Sequence, residues 1–162
     1  MKKLLVSACL LGDKVRYDGR GKYVPEVRDL NQHFELVLVC PEFEALQRAP
    51  RKKMELVKGA LIDEDGRDLT IKVLKSIEDT VRLCKYLGIT GAVLKSKSPT
   101  CGNKNVYDGS FKGVLIEGQG LLAKELKKAG ITVYNEMEIE RVLIDYRIIK
   151  PEIDEEENPK GE

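Results

Sequence analysis

The sequence predicts a three-layer α/β/α protein, Rossmann-like, with a doubly wound and mostly parallel sheet in a single domain. The first observation behind this prediction is that short apolar runs alternate with longer segments of helical periodicity. The second is that each run is apolar throughout, as expected for parallel strands covered by helices on both faces. The third is the length of 162 residues, which suits one domain with its own core.

The order of the elements follows from the positions of these runs and of the helix start and stop residues. Strands are predicted at residues 3–8, 35–39, 91–94 and 131–134, and helices at 25–34, 42–47, 71–87, 119–129 and 136–148. Residues 54–66 are expected to form an extended pair with a turn, and residues 95–113 a loop. The third helix is expected to be capped by Asp68 or Thr70 and to end at Gly88. Its apolar stripe is predicted to comprise Ile71, Leu74, Ile77, Val81 and Tyr86.

The charge balance narrows the classes of function. Lys plus Arg number 28 and Asp plus Glu number 27. A strongly basic nucleic-acid module is therefore not the default interpretation. The balance is uneven, because residues 150–162 form an acidic tail, expected to be disordered, and residues 1–149 carry about +5. The domain is predicted to span residues 1–149.

The four cysteines are too few for a disulfide scaffold in a chain of this length. The apolar run that follows Met1 is shorter than the core of a signal peptide, and the sequence has no stretch of membrane-spanning length. A cytoplasmic location without membrane association is therefore expected, where thiols stay reduced. In that compartment, cysteines direct attention to metal binding or catalysis.

Three of the cysteines share one position relative to the predicted sheet. Cys9 follows the first strand, Cys40 the second, and Cys101 lies in the loop after the third. The carboxyl ends of parallel strands meet at one edge, where ligands of such sheets bind. Cys84 lies within the third helix among apolar neighbours and is interpreted as a core residue.

Three converging thiols suggest a metal centre, although packing alone is the alternative. Zinc would require a fourth protein ligand, and the single histidine, His33, lies in the first predicted helix and is interpreted as structural. An iron–sulfur cluster with three cysteine ligands fits better, because thiolates favour such clusters. One iron of the cluster would then lack a protein ligand, and its open coordination position could take part in catalysis.

Polar residues beside the cysteines supply candidates for the chemistry. Glu42 follows Cys40 by two residues and is a candidate general acid or base, or simply a carboxylate favoured early in a helix. Lys95 and Ser98 precede Cys101. A lysine beside a thiol lowers the pKa of that thiol, or its positive charge offsets the negative charge of a thiolate-bound cluster. A serine hydroxyl can bind substrate or relay a proton. A solvated polar loop is the alternative.

Two aromatic–Asp–Gly loops and one basic cluster complete the candidate set. Arg16, Tyr17 and Asp18 lie in the first loop, and Tyr107 and Asp108 in the second. Each loop offers a ring for stacking on a substrate, while turn formation alone also accounts for the pattern. The cluster at 50–53, which includes Arg51, would attract an anionic substrate or RNA, or form a solvated face.

Seven motifs together resemble one family, domain-of-unknown-function family 523, which is associated with TudS-type thiouracil desulfidases. The motifs lie at residues 7–12 (SACLLG), 15–19 (VRYDG), 40–42 (CPE), 50–51 (PR), 68–70 (DLT), 94–102 (LKSKSPTCG) and 107–111 (YDGSF). The resemblance covers residues 7–136. One departure is the segment 43–49 (FEALQRA), where the family usually has a Gly-Gly-Leu-Pro type of turn that shapes the substrate pocket.

The resemblance implies a non-redox enzyme that removes sulfur from thiolated pyrimidines such as 2-thiouracil by hydrolytic C–S bond cleavage. It implies an oxygen-sensitive [4Fe-4S] cluster on Cys9, Cys40 and Cys101, whose open iron takes the sulfur. It also implies that Glu42 and Ser98 are the acid/base and hydroxyl positions. Two alternatives stay open: a cluster- or metal-binding carrier without turnover, and a tRNA-associated sulfur enzyme.

Overall fold

The computed structural model describes residues 1–152, in which a central sheet is flanked by helices. The strands are β1 Lys2–Ser7, β2 Phe34–Val39, β3 Met54–Val57, β4 Ala60–Asp63, β5 Gly91–Leu94, β6 Asn105–Tyr107, β7 Leu115–Glu117 and β8 Thr132–Asn135. The helices are α1 Pro25–Asp29, α2 Pro41–Leu46, α3 Thr70–Leu87, α4 Leu121–Lys128 and α5 Ile139–Asp145. Short 3₁₀ turns follow β1 and α1, at Ala8–Leu11 and Leu30–Gln32.

The four predicted strands form one parallel sheet in the order β2-β1-β5-β8. The chain moves outward from β1 to β2, then returns to the other side of β1 for β5 and β8. The sheet is therefore doubly wound, and its topological switch point lies between β1 and β5, where ligands of such sheets bind. Leu5 of β1 pairs with Val37 of β2 on one side and Ala92 of β5 on the other.

Helices cover both faces of the sheet, which confirms the predicted three layers. On one face, Leu5 and Leu94 belong to a core that includes Ile77 of α3 and Leu122 and Leu126 of α4. The opposite core contains buried residues from the sheet, the turn after β1, α1 and its following turn, and α5: Leu4, Val6, Cys9, Leu10, Val27, Leu30, Phe34, Val93, Tyr134 and Val142. Alternate residues along β1 serve the two cores, because successive side chains of a strand point to opposite faces.

The buried stripe of α3 differs from the predicted one. The fully buried positions are Val73, Ile77, Thr80 and Cys84, whereas Ile71 is 84% exposed and Tyr86 is 87% exposed. Both stripes satisfy helical spacing, and the docking of α3 on the sheet selects one of them. The predicted stop at Gly88 is confirmed by its left-handed backbone (φ 69°). The predicted start is wrong by one residue, because Leu69 occupies the N-cap position, although the Asp68 carboxylate accepts the Thr70 N–H at 2.9 Å.

Two hairpins lie outside the sheet. In the predicted extended pair, β3 and β4 turn at Lys58 and Gly59, both with positive φ, inside the apolar run instead of after it. The second hairpin, β6–β7, was not predicted, because its strands have three residues each and β7 is exposed along its length. The prediction that residues 95–113 form a loop is therefore wrong at Asn105–Tyr107, which form β6.

Within residues 1–152, none of the helices is both long and apolar enough to cross a bilayer. The predicted acidic tail lies outside the described residues from position 153 onward. Its disorder and the domain limits of 1–149 therefore stay predictions.

Candidate active site at the switch point of the sheet

The structure brings the three predicted cysteines to one pocket at the carboxyl edge of the sheet. Cys9 lies in the 3₁₀ turn after β1, Cys40 immediately precedes α2, and Cys101 follows β5. All three line a cavity of about 170 Å³. Cys9 and Cys101 are buried and Cys40 is half-buried, while Cys84 is fully buried in α3.

Burial controls the ionisation of these thiols. Burial and the neighbouring Cys40 raise the pKa of Cys9 to about 12, against the lowering effects of Lys95 and Arg16. Burial likewise raises the pKa of Cys40, and raises that of Cys101 well above its usual value. The thiols are therefore protonated at neutral pH unless a bound cation displaces the protons.

The spacing of the donors bears on the kind of metal. Among the described residues, no three side chains of His, Cys, Asp or Glu lie close enough to share one metal ion. A single zinc ion holds each thiolate sulfur at about 2.3 Å and needs such a tight group. His33 is exposed beside the start of β2 and does not line the pocket. The described residues therefore do not form a ready-made zinc site with His33 as a fourth ligand.

Glu42 lies in the first turn of α2 with both carboxylate oxygens engaged. Its side chain is 12% exposed and lines the pocket. Oε1 accepts a hydrogen bond from Arg51 Nη2 at 2.9 Å, and Oε2 accepts one from Thr100 Oγ1 at 2.8 Å. Arg51, a predicted substrate-binding residue, is thus buried and paired with Glu42, and it is not part of a solvated basic face.

Ser98 shapes the loop that carries Cys101. Its Oγ accepts hydrogen bonds from the N–H groups of Thr100 at 3.1 Å and Cys101 at 3.0 Å. The hydroxyl hydrogen stays available for donation toward the pocket that Ser98 lines. Gly120, just before α4, packs against the backbone of Thr100 so closely that a Cβ would collide with it. The start of α4 therefore supports this loop from behind.

Lys95 enters the pocket wall from the end of β5 and is held by Glu136. Its Nζ lies 3.2 Å from Glu136 Oε2, and the Ser96 N–H and Oγ each donate to the same carboxylate at 2.8 Å. Burial would raise the pKa of Glu136, but backbone hydrogen bonds and the Lys95 ammonium outweigh it and lower the pKa. Glu136 was not singled out from the sequence, although it directly follows β8 at the same sheet edge.

Aromatic and basic residues surround the pocket. Arg16, Tyr17, Lys53, Lys97 and Tyr107 belong to the lining, and Lys53 Nζ lies 4.8 Å from the centre of the Tyr107 ring. By contrast, two predicted substrate-binding residues act as turn formers outside the lining. Asp18 accepts the Arg20 N–H at 3.0 Å, and Asp108 accepts the Ser110 N–H at 2.9 Å.

A buried carboxylate that was missed from the sequence joins the two hairpins. Glu55 of β3 is fully buried, and its Oε1 accepts the N–H groups of Gly109 at 3.0 Å and Phe111 at 3.1 Å. Its Oε2 lies 3.7 Å from Lys53 Nζ. This contact holds the loop after Tyr107 against β3, so that Lys53 and Tyr107 meet at the pocket.

The fold and site thus define a doubly wound α/β domain with three thiols, a paired carboxylate and a lysine at its switch point, residue types that suit a thiolate-bound metal centre. Comparison with known proteins identifies the family: the chain belongs to the 2-thiouracil desulfurase family, whose model matches residues 4–138. It is 31% identical over 150 residues to the uncharacterized protein YbbK of Bacillus subtilis (strain 168), covering 86% of this chain and 99% of YbbK.

The fold has a counterpart among solved structures. The [4Fe-4S]-dependent thiouracil desulfidase TudS superposes with a TM-score of 0.85 at 32% identity. The match covers 92% of this chain and 100% of the TudS chain. The family resemblance of the motifs and the predicted fold class are therefore confirmed.

Proposed function

We propose that this protein is a cytoplasmic desulfidase that removes sulfur from thiolated pyrimidines such as 2-thiouracil by hydrolytic cleavage of the C–S bond. The observation that carries the proposal is the convergence of Cys9, Cys40 and Cys101 in one pocket beside the paired carboxylate of Glu42. Family membership and the similarity to TudS support it.

The donor set fits a [4Fe-4S] cluster held by these three cysteines. Three thiols without a fourth protein ligand leave one iron open, and thiolates are the ligands such clusters prefer. Lys95 and Arg16 lie close enough to lower the pKa of Cys9, so they also offset the negative charge of a thiolate-bound cluster. When bound, the cluster supplies a Lewis-acidic iron that can accept sulfur.

The reaction balances without an oxidant or reductant: thiouracil and water give uracil and hydrogen sulfide. A C–O bond forms and the C–S bond breaks at the thiocarbonyl carbon. Glu42 accepts a proton from the attacking water, because its carboxylate faces the pocket as a hydrogen-bond acceptor. Ser98 donates its hydroxyl hydrogen to the pyrimidine ring, and Lys95 stabilises negative charge that develops during the attack.

The pocket walls favour a planar substrate. Tyr17 and Tyr107 belong to the lining and offer ring faces for stacking on a pyrimidine. Because Arg51 is buried, the 50–53 cluster presents less free positive charge than the sequence suggested, which weakens the case for an RNA partner.

The test is anaerobic reconstitution with iron and sulfide, followed by measurement of sulfide released from 2-thiouracil. We expect wild-type turnover, loss of cluster and turnover in Cys9→Ala, and retention of both in Cys84→Ala. The last variant is a matched control, because Cys84 is equally buried but lies in α3 outside the pocket lining. A Cys9→Ala protein that keeps the cluster and turns over would contradict the proposal, and cluster binding without sulfide release would favour a carrier.

A further inference from the structure

The hydroxyl of Thr100 bonds to a carboxylate that is distant along the chain. Its side chain is fully buried next to Cys101, and Oγ1 donates to Glu42 Oε2 at 2.8 Å. For comparison, the buried Thr80 donates to the Ser76 carbonyl oxygen within its own helix, at 3.0 Å. The Thr100 bond instead joins the Cys101 loop to the first turn of α2, two residues after Cys40.

The guanidinium of Arg51 holds the other oxygen of the same carboxylate. Its side chain is 5% exposed, and Nη2 donates to Glu42 Oε1 at 2.9 Å. Nη1 donates to the carbonyl oxygens of Val15 at 2.8 Å and Arg48 at 3.1 Å. The guanidinium is therefore fixed by backbone groups, and it fixes Glu42 in turn.

We propose that Thr100 and Arg51 are positioning residues that orient the Glu42 carboxylate for proton transfer in the pocket. Each donates to a different oxygen of the carboxylate, and the two hydrogen bonds together restrict rotation of its plane. The remaining lone pairs are left for a water molecule or substrate in the pocket. This inference rests on the proposed function, because it gives Glu42 a reaction to serve.

The hydrogen bond from Thr100 also fixes the position of the Glu42 carboxylate relative to Cys40 and Cys101. The Thr100 hydrogen bond spans the two loops that carry Cys40 and Cys101, so a change in one loop moves Glu42 with respect to the other. Misplacement of a reacting group by about 1 Å can lower a rate by about 100-fold. A large loss of kcat without a loss of substrate affinity is therefore the expected signature.

The experiment compares Thr100→Val, Thr100→Ser and Thr80→Val in the reconstituted enzyme with 2-thiouracil. Thr100→Val removes the hydroxyl at nearly constant volume, and we expect kcat to fall at least about tenfold with KM within about twofold. Thr100→Ser keeps the hydroxyl and is expected to retain kcat within about threefold. Thr80→Val, the matched control, should leave both constants unchanged.

Iron and sulfide content and the visible absorption of the cluster separate positioning from support of the ligand loop. We expect wild-type values for these in Thr100→Val. Cluster loss in that variant, or a kcat within about twofold of wild type, would overturn the inference. Arg51→Lys provides a second variant, expected to lower kcat as well, since a lysine cannot reach Val15 and Glu42 together in the geometry of a guanidinium.

Failure of the proposed function gives a different result from failure of this inference. A wild-type protein that binds the cluster without releasing sulfide overturns both. Wild-type turnover with equal turnover in Thr100→Val overturns the positioning role alone.

Discussion

Replacement of Glu55 tests how the two hairpins are joined beside the pocket. Glu55 is fully buried in β3, and its carboxylate accepts two backbone N–H groups from the loop after β6, those of Gly109 and Phe111. Glu55→Ala leaves both without an acceptor. Glu55→Gln keeps one oxygen as acceptor for the two N–H groups and replaces the oxygen near Lys53 by a neutral NH₂ group.

The expected free-energy changes follow from these contacts. A buried polar group left without a partner destabilises by about 1–3 kcal/mol. The loop around Gly109 is partly accessible to water, so the lower half of that range applies to each N–H, and Glu55→Ala should lower the free energy of unfolding by about 2–4 kcal/mol. For a protein of this size, at about 2–4 °C per kcal/mol, that corresponds to a loss of roughly 4–16 °C in Tm.

The charge contributes less than the hydrogen bonds. The distance of 3.7 Å from Lys53 Nζ to Glu55 Oε2 is long, the lysine is partly exposed, and desolvation of the carboxylate opposes the attraction. We therefore expect Glu55→Gln to stay within about 1 kcal/mol of wild type. Glu64→Ala is the control, because Glu64 is exposed in the turn after β4, and it should change stability by less than about 0.5 kcal/mol.

The assay is urea unfolding followed by circular dichroism, with Tm from thermal scans of the same proteins. Wild-type stability in Glu55→Ala would refute the reasoning from hydrogen bonds. Equal losses in Glu55→Gln and Glu55→Ala would show instead that the charge dominates.

Three further predictions concern the cysteine loop, the acid stability and the proposed base. Gly102→Ala should abolish cluster assembly, measured as iron and sulfide content, because a Cβ there would lie 2.8 Å from the Asn105 carbonyl oxygen; normal content would contradict this account. Burial would raise the pKa of Glu138, but hydrogen bonds from Lys104 and others lower it below 4.5. The ionised Glu138 therefore stabilises the fold at higher pH, and this stabilisation is lost as the pH falls below 4.5 through the folded-state pKa. In that pH range, the free energy of unfolding of Glu138→Gln, measured in urea, should vary less with pH than that of the wild type. Glu42→Gln should keep the cluster spectrum and lose at least about 100-fold in kcat, and undiminished turnover would make Glu42 structural.

Several features could be read from the sequence because they depend on neighbours along the chain. The four sheet strands are continuous apolar runs, and Gly88 ends α3 by its positive φ. The convergence of the three cysteines follows from the rule that parallel strands end at one edge, which needs no side-chain detail. The α3 stripe could not be read in the same way, because two sets of residues have helical spacing and only packing selects Val73 over Ile71.

The sequence by itself determined the fold class, the edge that carries the site and the membership of Cys9, Cys40 and Cys101 in it. Only the tertiary structure decided which polar groups meet: Glu42 with Thr100, Lys95 with Glu136. These partners lie 58 and 41 residues apart, and no helical or strand period links them. A buried ion pair or hydrogen bond forms wherever packing brings its two groups within about 3 Å, so its partners are known only when the layers are assembled.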